Sequence, residues 1–137
     1  MNSPVTVDAS VFVNAFSPAE EGSDKSFEFL ARLNRQGTPI ILPILVLPEI
    51  VAAVSRRQGH PELALQLAQD VRKFPNLTLV EVDESLANAA MEVAAQHRLR
   101  GSDAVYAALA LRFGAELITL DREQLERLPS VLAVKAP

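Results

Sequence analysis

Short β-branched runs alternate along this chain with longer stretches in which apolar residues recur at helical spacing. Val5 to Val7 is the first run; it ends at Asp8 and reads as a buried strand. Ser23 to Arg35 carries Phe27, Leu30 and Leu33 at helical spacing, with Gly37 to close the helix. Pro39 to Leu42 reads as a second strand. Leu45 to Arg57 reads as a helix with Leu47, Ile50, Val51 and Val54 on one face, and Pro61 to Phe74 as another, its proline well placed in the first turn. Leu77 to Val82 gives a third strand. An Ala-rich helix from Asp83 to His97 follows, with Asp83 as its N-cap. Ser102 is expected to cap the next helix, Asp103 to Phe113, which Gly114 ends. Glu116 to Leu120 is a fourth strand, Arg122 to Leu128 a short helix, and Ser130 to Val134 a fifth strand.

Strands alternating with helices predict an α/β fold, a parallel sheet covered on both faces. The 137 residues suit one domain over 1–137, with no repeat, low-complexity tract or linker. The Pro/Ser/Glu stretch from Ser17 to Ser23 is a loop within it. The longest apolar stretch, Ile40 to Leu47, is broken by Pro43, so no membrane span is expected. The N-terminus lacks a basic region and carries Asp8 in its apolar stretch, unlike a signal peptide. There is no cysteine, which excludes disulfides, zinc–thiolate sites and thiol catalysis and fits a reducing cytoplasm.

Four acids fall at element ends that a parallel sheet gathers at one edge, where ligands bind beyond the carboxyl ends of the strands. Asp8 follows the first strand and Asp121 the fourth; each also reads as a helix N-cap. Glu49 lies in Leu47-Pro48-Glu49-Ile50-Val51, where a carboxylate must be paired, protonated or metal-bound, or else favoured by the helix dipole of a first turn. Asp103 opens a very apolar helix. Four converging carboxylates repel one another, and a hard cation with oxygen ligands, Mg²⁺ or Mn²⁺, relieves that repulsion. Ser10 and Thr119 are placed to orient a carboxylate or a water from behind, or simply to make local hydrogen bonds.

The net charge of −4 argues against binding nucleic acid by charge alone. Without the four site acids, however, 13 of the 17 acids remain, matching the 13 Lys and Arg. An acidic pocket on a balanced surface suits a protein that meets phosphate through its own cations. Arg56, Arg57, Arg98, Arg100 and Arg122 are candidate phosphate contacts, Arg100 and Arg122 being nearest the acids in sequence. Aromatics are too few, at 5%, for extensive base stacking. His60 and His97 lack the acidic company of a metal site and are expected to cap or flank helices.

Four segments in order, Val7-Asp8-Ala9-Ser10-Val11-Phe12-Val13-Asn14, Pro48-Glu49-Ile50, Ser102-Asp103-Ala104-Val105-Tyr106-Ala107-Ala108-Leu109-Ala110 and Leu117-Ile118-Thr119-Leu120-Asp121, resemble the PIN-domain ribonucleases. The likeness is greatest to the VapC-type toxins of toxin–antitoxin pairs. The resemblance implies a three-layer α/β/α fold with strand order 3-2-1-4-5, and Mg²⁺- or Mn²⁺-dependent endonuclease activity on RNA. It also implies a homodimer and an antitoxin that plugs the acidic groove. It carries Asp8, Glu49, Asp103 and Asp121 over as catalytic metal-binding acids and Ser10 as a supporting polar residue. Glu123 lies where some relatives carry another acid, but reads better as a first-turn helix residue.

Other readings compete with this one. One is a non-catalytic PIN-like module that binds RNA or a protein, against which the full acid set speaks. A receiver domain would need a lysine near the last strand, and Lys135 comes too late. A dehalogenase-type phosphotransferase would need an acid at position 10, which is Ser10. Five glycines form no phosphate-cradling loop.

Overall fold

In a computed structural model that describes residues 3–137, the chain forms five strands and seven helices. The strands are β1 (Val5–Val7), β2 (Ile40–Pro43), β3 (Leu77–Val80), β4 (Glu116–Ile118) and β5 (Val134–Lys135). The helices are α1 (Ala9–Ala15), α2 (Ser23–Gln36), α3 (Val46–Gln58), α4 (Pro61–Arg72), α5 (Glu84–His97), α6 (Gly101–Phe113) and α7 (Arg122–Arg127).

All pairings are parallel and the order is β3-β2-β1-β4-β5, as the resemblance implies. Val5 lies opposite Ile40 on one side and Glu116 on the other, so β1 is the centre of the sheet. Helices cover both faces in three α/β/α layers, α3 paired with α4 and α5 with α6. Chain direction reverses its spread between β1 and β4, the point at which parallel sheets open a ligand crevice.

The core explains the local sequence. β1 is buried throughout, and α6 packs against β1, β2 and β4 with every residue from Asp103 to Ala110 buried. Phe12 of α1 meets Phe74 edge-on at 5.8 Å between ring centroids and leans against Phe16. Tyr106, Ile40, Leu42, Ile50, Leu109, Leu117 and Leu128 are fully buried around them. Among the described residues no helix is long and apolar enough to cross a membrane.

Strands β3 and β4 stop two residues short of the expected ends at Val82 and Leu120, and three further expectations need correction. Helix α1 was not foreseen, because six of its seven residues are buried and it shows no amphipathic period. The fifth strand comes later, at Val134–Lys135; the residues before it continue the α7 turn, with Val131 and Leu132 N–H donating to the Leu128 carbonyl. Ser102 is not the cap of α6. The helix begins at Gly101 after an extended Arg100, whose carbonyl accepts from Ala104 N–H. Asp83, by contrast, caps α5 as expected, its Oδ1 accepting from Leu86 N–H at 2.8 Å.

Candidate active site

An open cleft of about 600 Å³ lies at the carboxyl edge of the sheet. Asp8, Glu49, Asp103 and Asp121 all line it, with Ser10, Arg56, Arg57 and Arg100. The topology brings them together: Asp8 leaves β1, Asp121 follows β4, and Glu49 and Asp103 sit in the first turns of α3 and α6.

Asp8 and Asp121 are N-caps as well as cleft residues, so the two readings of each hold together. Asp8 Oδ2 accepts from Ser10 N–H at 3.2 Å and caps α1; Asp121 Oδ1 accepts from Gln124 N–H at 2.9 Å and caps α7. A carboxylate has two oxygens, and a cap occupies only one. Asp8 is almost wholly buried, and burial raises its pKa. The Ser10 hydroxyl and amide work against that rise by favouring the anion, while the charges of Glu49 and Asp121 add to it. Asp103 is raised for the same first reason, burial; Arg100 opposes the rise, and Asp8 and Asp121 reinforce it.

Behind the acids lies a buried polar layer. Thr119, fully buried, has its Oγ1 3.3 Å from Asp8 Oδ2, accepts from Asp121 N–H at 2.9 Å, and donates to Gln124 Oε1. Gln124, also fully buried, donates from Nε2 to the Asp103 carbonyl at 3.3 Å. The carboxamide orientation follows, since its oxygen would repel that carbonyl. Thr119 has a single proton, so the shorter bond to Gln124 takes most of it and the Asp8 contact is the weaker branch. This layer therefore ties three of the four acids to one rigid scaffold. Ser10 adds a tie of its own, its Oγ accepting from Leu120 N–H at 3.2 Å.

Glu49 is half-buried and accepts at Oε1 from the Tyr106 hydroxyl at 2.6 Å. Tyr106 is fully buried; burial, then the charges of Asp8 and Glu49, hold its pKa well above the usual phenol range, so it is the donor in this pair. Arg100 reaches across the cleft mouth, with Nε 2.9 Å from Asp103 Oδ2 and a terminal nitrogen 2.5 Å from Asp121 Oδ2. At the rim, buried Asn14 donates to the Glu21 carbonyl at 3.0 Å and accepts from Ser26 Oγ at 2.7 Å. That fastens the Ser17–Ser23 loop, with left-handed Gly22 turning beside Asn14, and lets Glu20 pair with Arg57.

Arg98 and Arg122 are not among the residues lining the cleft. Arg98 instead closes α5 in the left-handed region, its carbonyl accepting from Arg127. His60 caps α4, Nδ1 accepting from Leu63 N–H, and neither histidine reaches the cleft. Among the described residues no three acids or histidines stand as a ready-made metal cage. The donor chemistry nevertheless fits a divalent hard cation: four carboxylates, two with pKa values raised by burial and by the charge of neighbouring carboxylates.

Tyr106 and Gln124 carry parts of the site that sequence reasoning missed. Both had a signal. Tyr106 lies three residues after Asp103, on the same helical face, and a phenol in so apolar a helix needs a partner. Gln124 stands three residues after a capping aspartate, the spacing of a capping box, although its side chain turns to Thr119 instead.

Residues 5–130 match the PIN domain family model. No curated protein sequence is matched. Among solved structures the chain is similar to VapBC2 of Rickettsia felis, bound to a DNA fragment of its promoter: TM-score 0.74, 17% identity, 97% of this chain and 98% of that one. It is similar to VapC20 of Mycobacterium tuberculosis, described as a sarcin–ricin-loop-cleaving toxin, with TM-score 0.70 and 21% identity over 86% and 90% of the chains. DNA-bound VapBC of Salmonella typhimurium gives TM-score 0.70 and 17% identity over 99% and 98%. The family model spans strands β1 to β4, the cleft and all four acids, and on that ground this chain belongs to the PIN-domain family.

Proposed function

We propose that this chain is a divalent-metal-dependent endoribonuclease that hydrolyses RNA phosphodiester bonds and serves as the toxin of a type II toxin–antitoxin pair. The observation that carries the reading is the convergence of Asp8, Glu49, Asp103 and Asp121, from four separate elements, on one open cleft that also holds arginines. The toxin assignment is supported by the structural likeness to VapC20, an RNA-cleaving toxin, and to VapBC complexes. The partners that follow are RNA, a cognate antitoxin covering the cleft, and a second copy of the chain in a homodimer, all in the cytoplasm. Leu65, 55% exposed on α4, supplies apolar surface for such assembly.

Asp8, Asp103, Asp121 and Glu49 would hold Mg²⁺ or Mn²⁺. When bound, the ion offsets charge growing on the phosphate and acidifies water at the site. The chain's own residues do the rest. Tyr106 fixes Glu49, whose carboxylate faces the cleft and is placed to take a proton from the attacking water. Thr119 and Ser10 fix Asp8 from behind. Arg56, on the cleft wall, is placed for a phosphate oxygen; Arg122, outside the lining, contributes at most to the approach of the strand.

The test is cleavage of structured ribosomal RNA by the purified protein with Mg²⁺ or Mn²⁺, with EDTA, and by Asp8→Asn. Asparagine keeps the α1 cap, so the variant folds. Cutting that needs metal and vanishes in the variant is expected. Metal-independent cutting, or an unimpaired variant, would refute the assignment. Bound metal and RNA without cutting would favour the non-catalytic binding module.

A further inference from the structure

Arg100 holds a position that a bound cation would contest. Its guanidinium donates from two different nitrogens to one oxygen each of Asp103 and Asp121, at 2.9 and 2.5 Å. The two acids come from different elements, the first turn of α6 and the cap of α7, 18 positions apart in sequence but joined here through one planar fork. Their side chains are only 10% and 17% exposed, while that of Arg100 is 68% exposed. The cation is thus the exposed member of the trio and the carboxylates are the buried ones. Nothing in the local fold requires it there: Arg100 makes no side-chain cap to α6, and the following Gly101 has open space around it.

We propose that Arg100 is a built-in counter-cation that divalent metal must displace, so that metal loading and release of the guanidinium into the cleft are one event. The inference rests on the metal-nuclease reading given above. The oxygens that Arg100 engages belong to two acids of the cleft lining, and a metal ion drawing on Asp103 and Asp121 needs their lone pairs. Guanidinium and metal therefore compete for the same charge. Two consequences follow from linkage. Metal binds more weakly than the carboxylates alone would allow. Any phosphate that captures the freed guanidinium strengthens metal binding by the same factor by which metal strengthens phosphate binding. RNA and metal would then load cooperatively, and part of the carboxylate charge would stay offset when neither is present.

The experiment is Mn²⁺ titration calorimetry on the full chain. It compares wild type with Arg100→Gln, which removes the charge and the fork, and with Arg122→Gln, which removes the same charge beside Asp121 without touching a site carboxylate. Arg100→Gln should bind Mn²⁺ about three- to tenfold more tightly, and Arg122→Gln less than about twofold. Arg100→Lys, with charge but no fork, should fall between, and serves if the glutamine variant folds poorly. In ¹⁵N-labelled wild type, the Arg100 Nε–H resonance should move along the same curve as Mg²⁺ is added. Equal or weaker Mn²⁺ binding by Arg100→Gln than by wild type overturns the proposal while leaving the metal reading intact. So does an Arg100 resonance unmoved at saturating Mg²⁺. Absence of Mn²⁺ binding in every variant would instead defeat the metal reading, and this proposal with it.

Discussion

Tyr106→Phe removes one oxygen from the centre of the molecule and tests the site's internal wiring. The ring fills the same fully buried space, so packing is preserved and what is lost is the 2.6 Å bond to Glu49 Oε1 and the hydrogen bond the phenol oxygen accepts from the Ala9 backbone. A buried carboxylate stripped of a donor would cost about 1.5–3 kcal/mol, but Glu49 is half-exposed and water can replace the phenol. With the buried Ala9 N–H also losing its acceptor, the net cost in stability should be about 1–2 kcal/mol, a fall in Tm of about 3–10 °C for a chain of this length. The effect on function should be larger in proportion, because Glu49 lies on α3 and is tied to α6 through this bond. Loss of such support behind a metal-binding acid costs roughly tenfold in metal affinity or cleavage, equal to about 1.4 kcal/mol. Mn²⁺ titration and RNA cleavage would be measured for Tyr106→Phe, for Glu49→Gln and for the double variant. Since the phenol's side-chain partner in the site is Glu49, its effect on metal and cleavage should be much smaller once Glu49 is already glutamine. An undiminished Mn²⁺ affinity and rate in Tyr106→Phe, or a full tenfold further loss on the Glu49→Gln background, would refute this reasoning.

The other predictions concern charge and the buried polar layer. Asp8→Asn should raise the Tm of the metal-free protein at pH 7 while abolishing cleavage, because it keeps the cap and removes a buried charge; a lower Tm would contradict the burial argument. Asp8 and Asp103 both have folded pKa values above the ordinary 3.8, so the folded state holds more protons than the unfolded one between 3.8 and the raised values. Their contribution therefore stabilises the metal-free protein as pH falls into that window, and is lost as pH rises through the folded pKa values. Thermal melts with EDTA as the pH is lowered from 7 toward 3.8 should show it, and the Asp8→Asn, Asp103→Asn pair should flatten the slope. Gln124→Leu leaves the Thr119 hydroxyl and the Asp103 carbonyl without their partner in the interior, and should cost about 1–3 kcal/mol in urea unfolding; a neutral substitution would mean that the layer is not a scaffold.

Much of this architecture is legible in the sequence because it rests on local rules. The caps at Asp8, Asp83 and Asp121 and the Gly114 stop are fixed by chemistry within a few residues. The elements that escaped have no such local mark. Helix α1 is buried on nearly every side, so it presents an unbroken apolar run rather than a stripe. Ser102 looked like a cap by residue type, but backbone geometry put the start of α6 two residues earlier, at Gly101. The four acids could be marked from spacing, whereas their supports could not. Tyr106 meets Glu49 across 57 positions, and Thr119 meets Asp8 across 111. Such pairings come from the sheet order and not from any window of sequence. Arg100 stood out in sequence for its nearness to the acids, but its bridge between two of them appears only in three dimensions.

The central claim, that the four carboxylates hold a divalent cation, is tested most directly by crystals grown with Mn²⁺ and measured for anomalous scattering. A peak at about 2.0–2.3 Å from carboxylate oxygens of Asp8 and of Asp103 or Asp121, with Arg100 drawn away from that pair, is the result expected. A clean anomalous map with no peak in the cleft at saturating Mn²⁺, and Arg100 still bridging Asp103 and Asp121, would contradict the account.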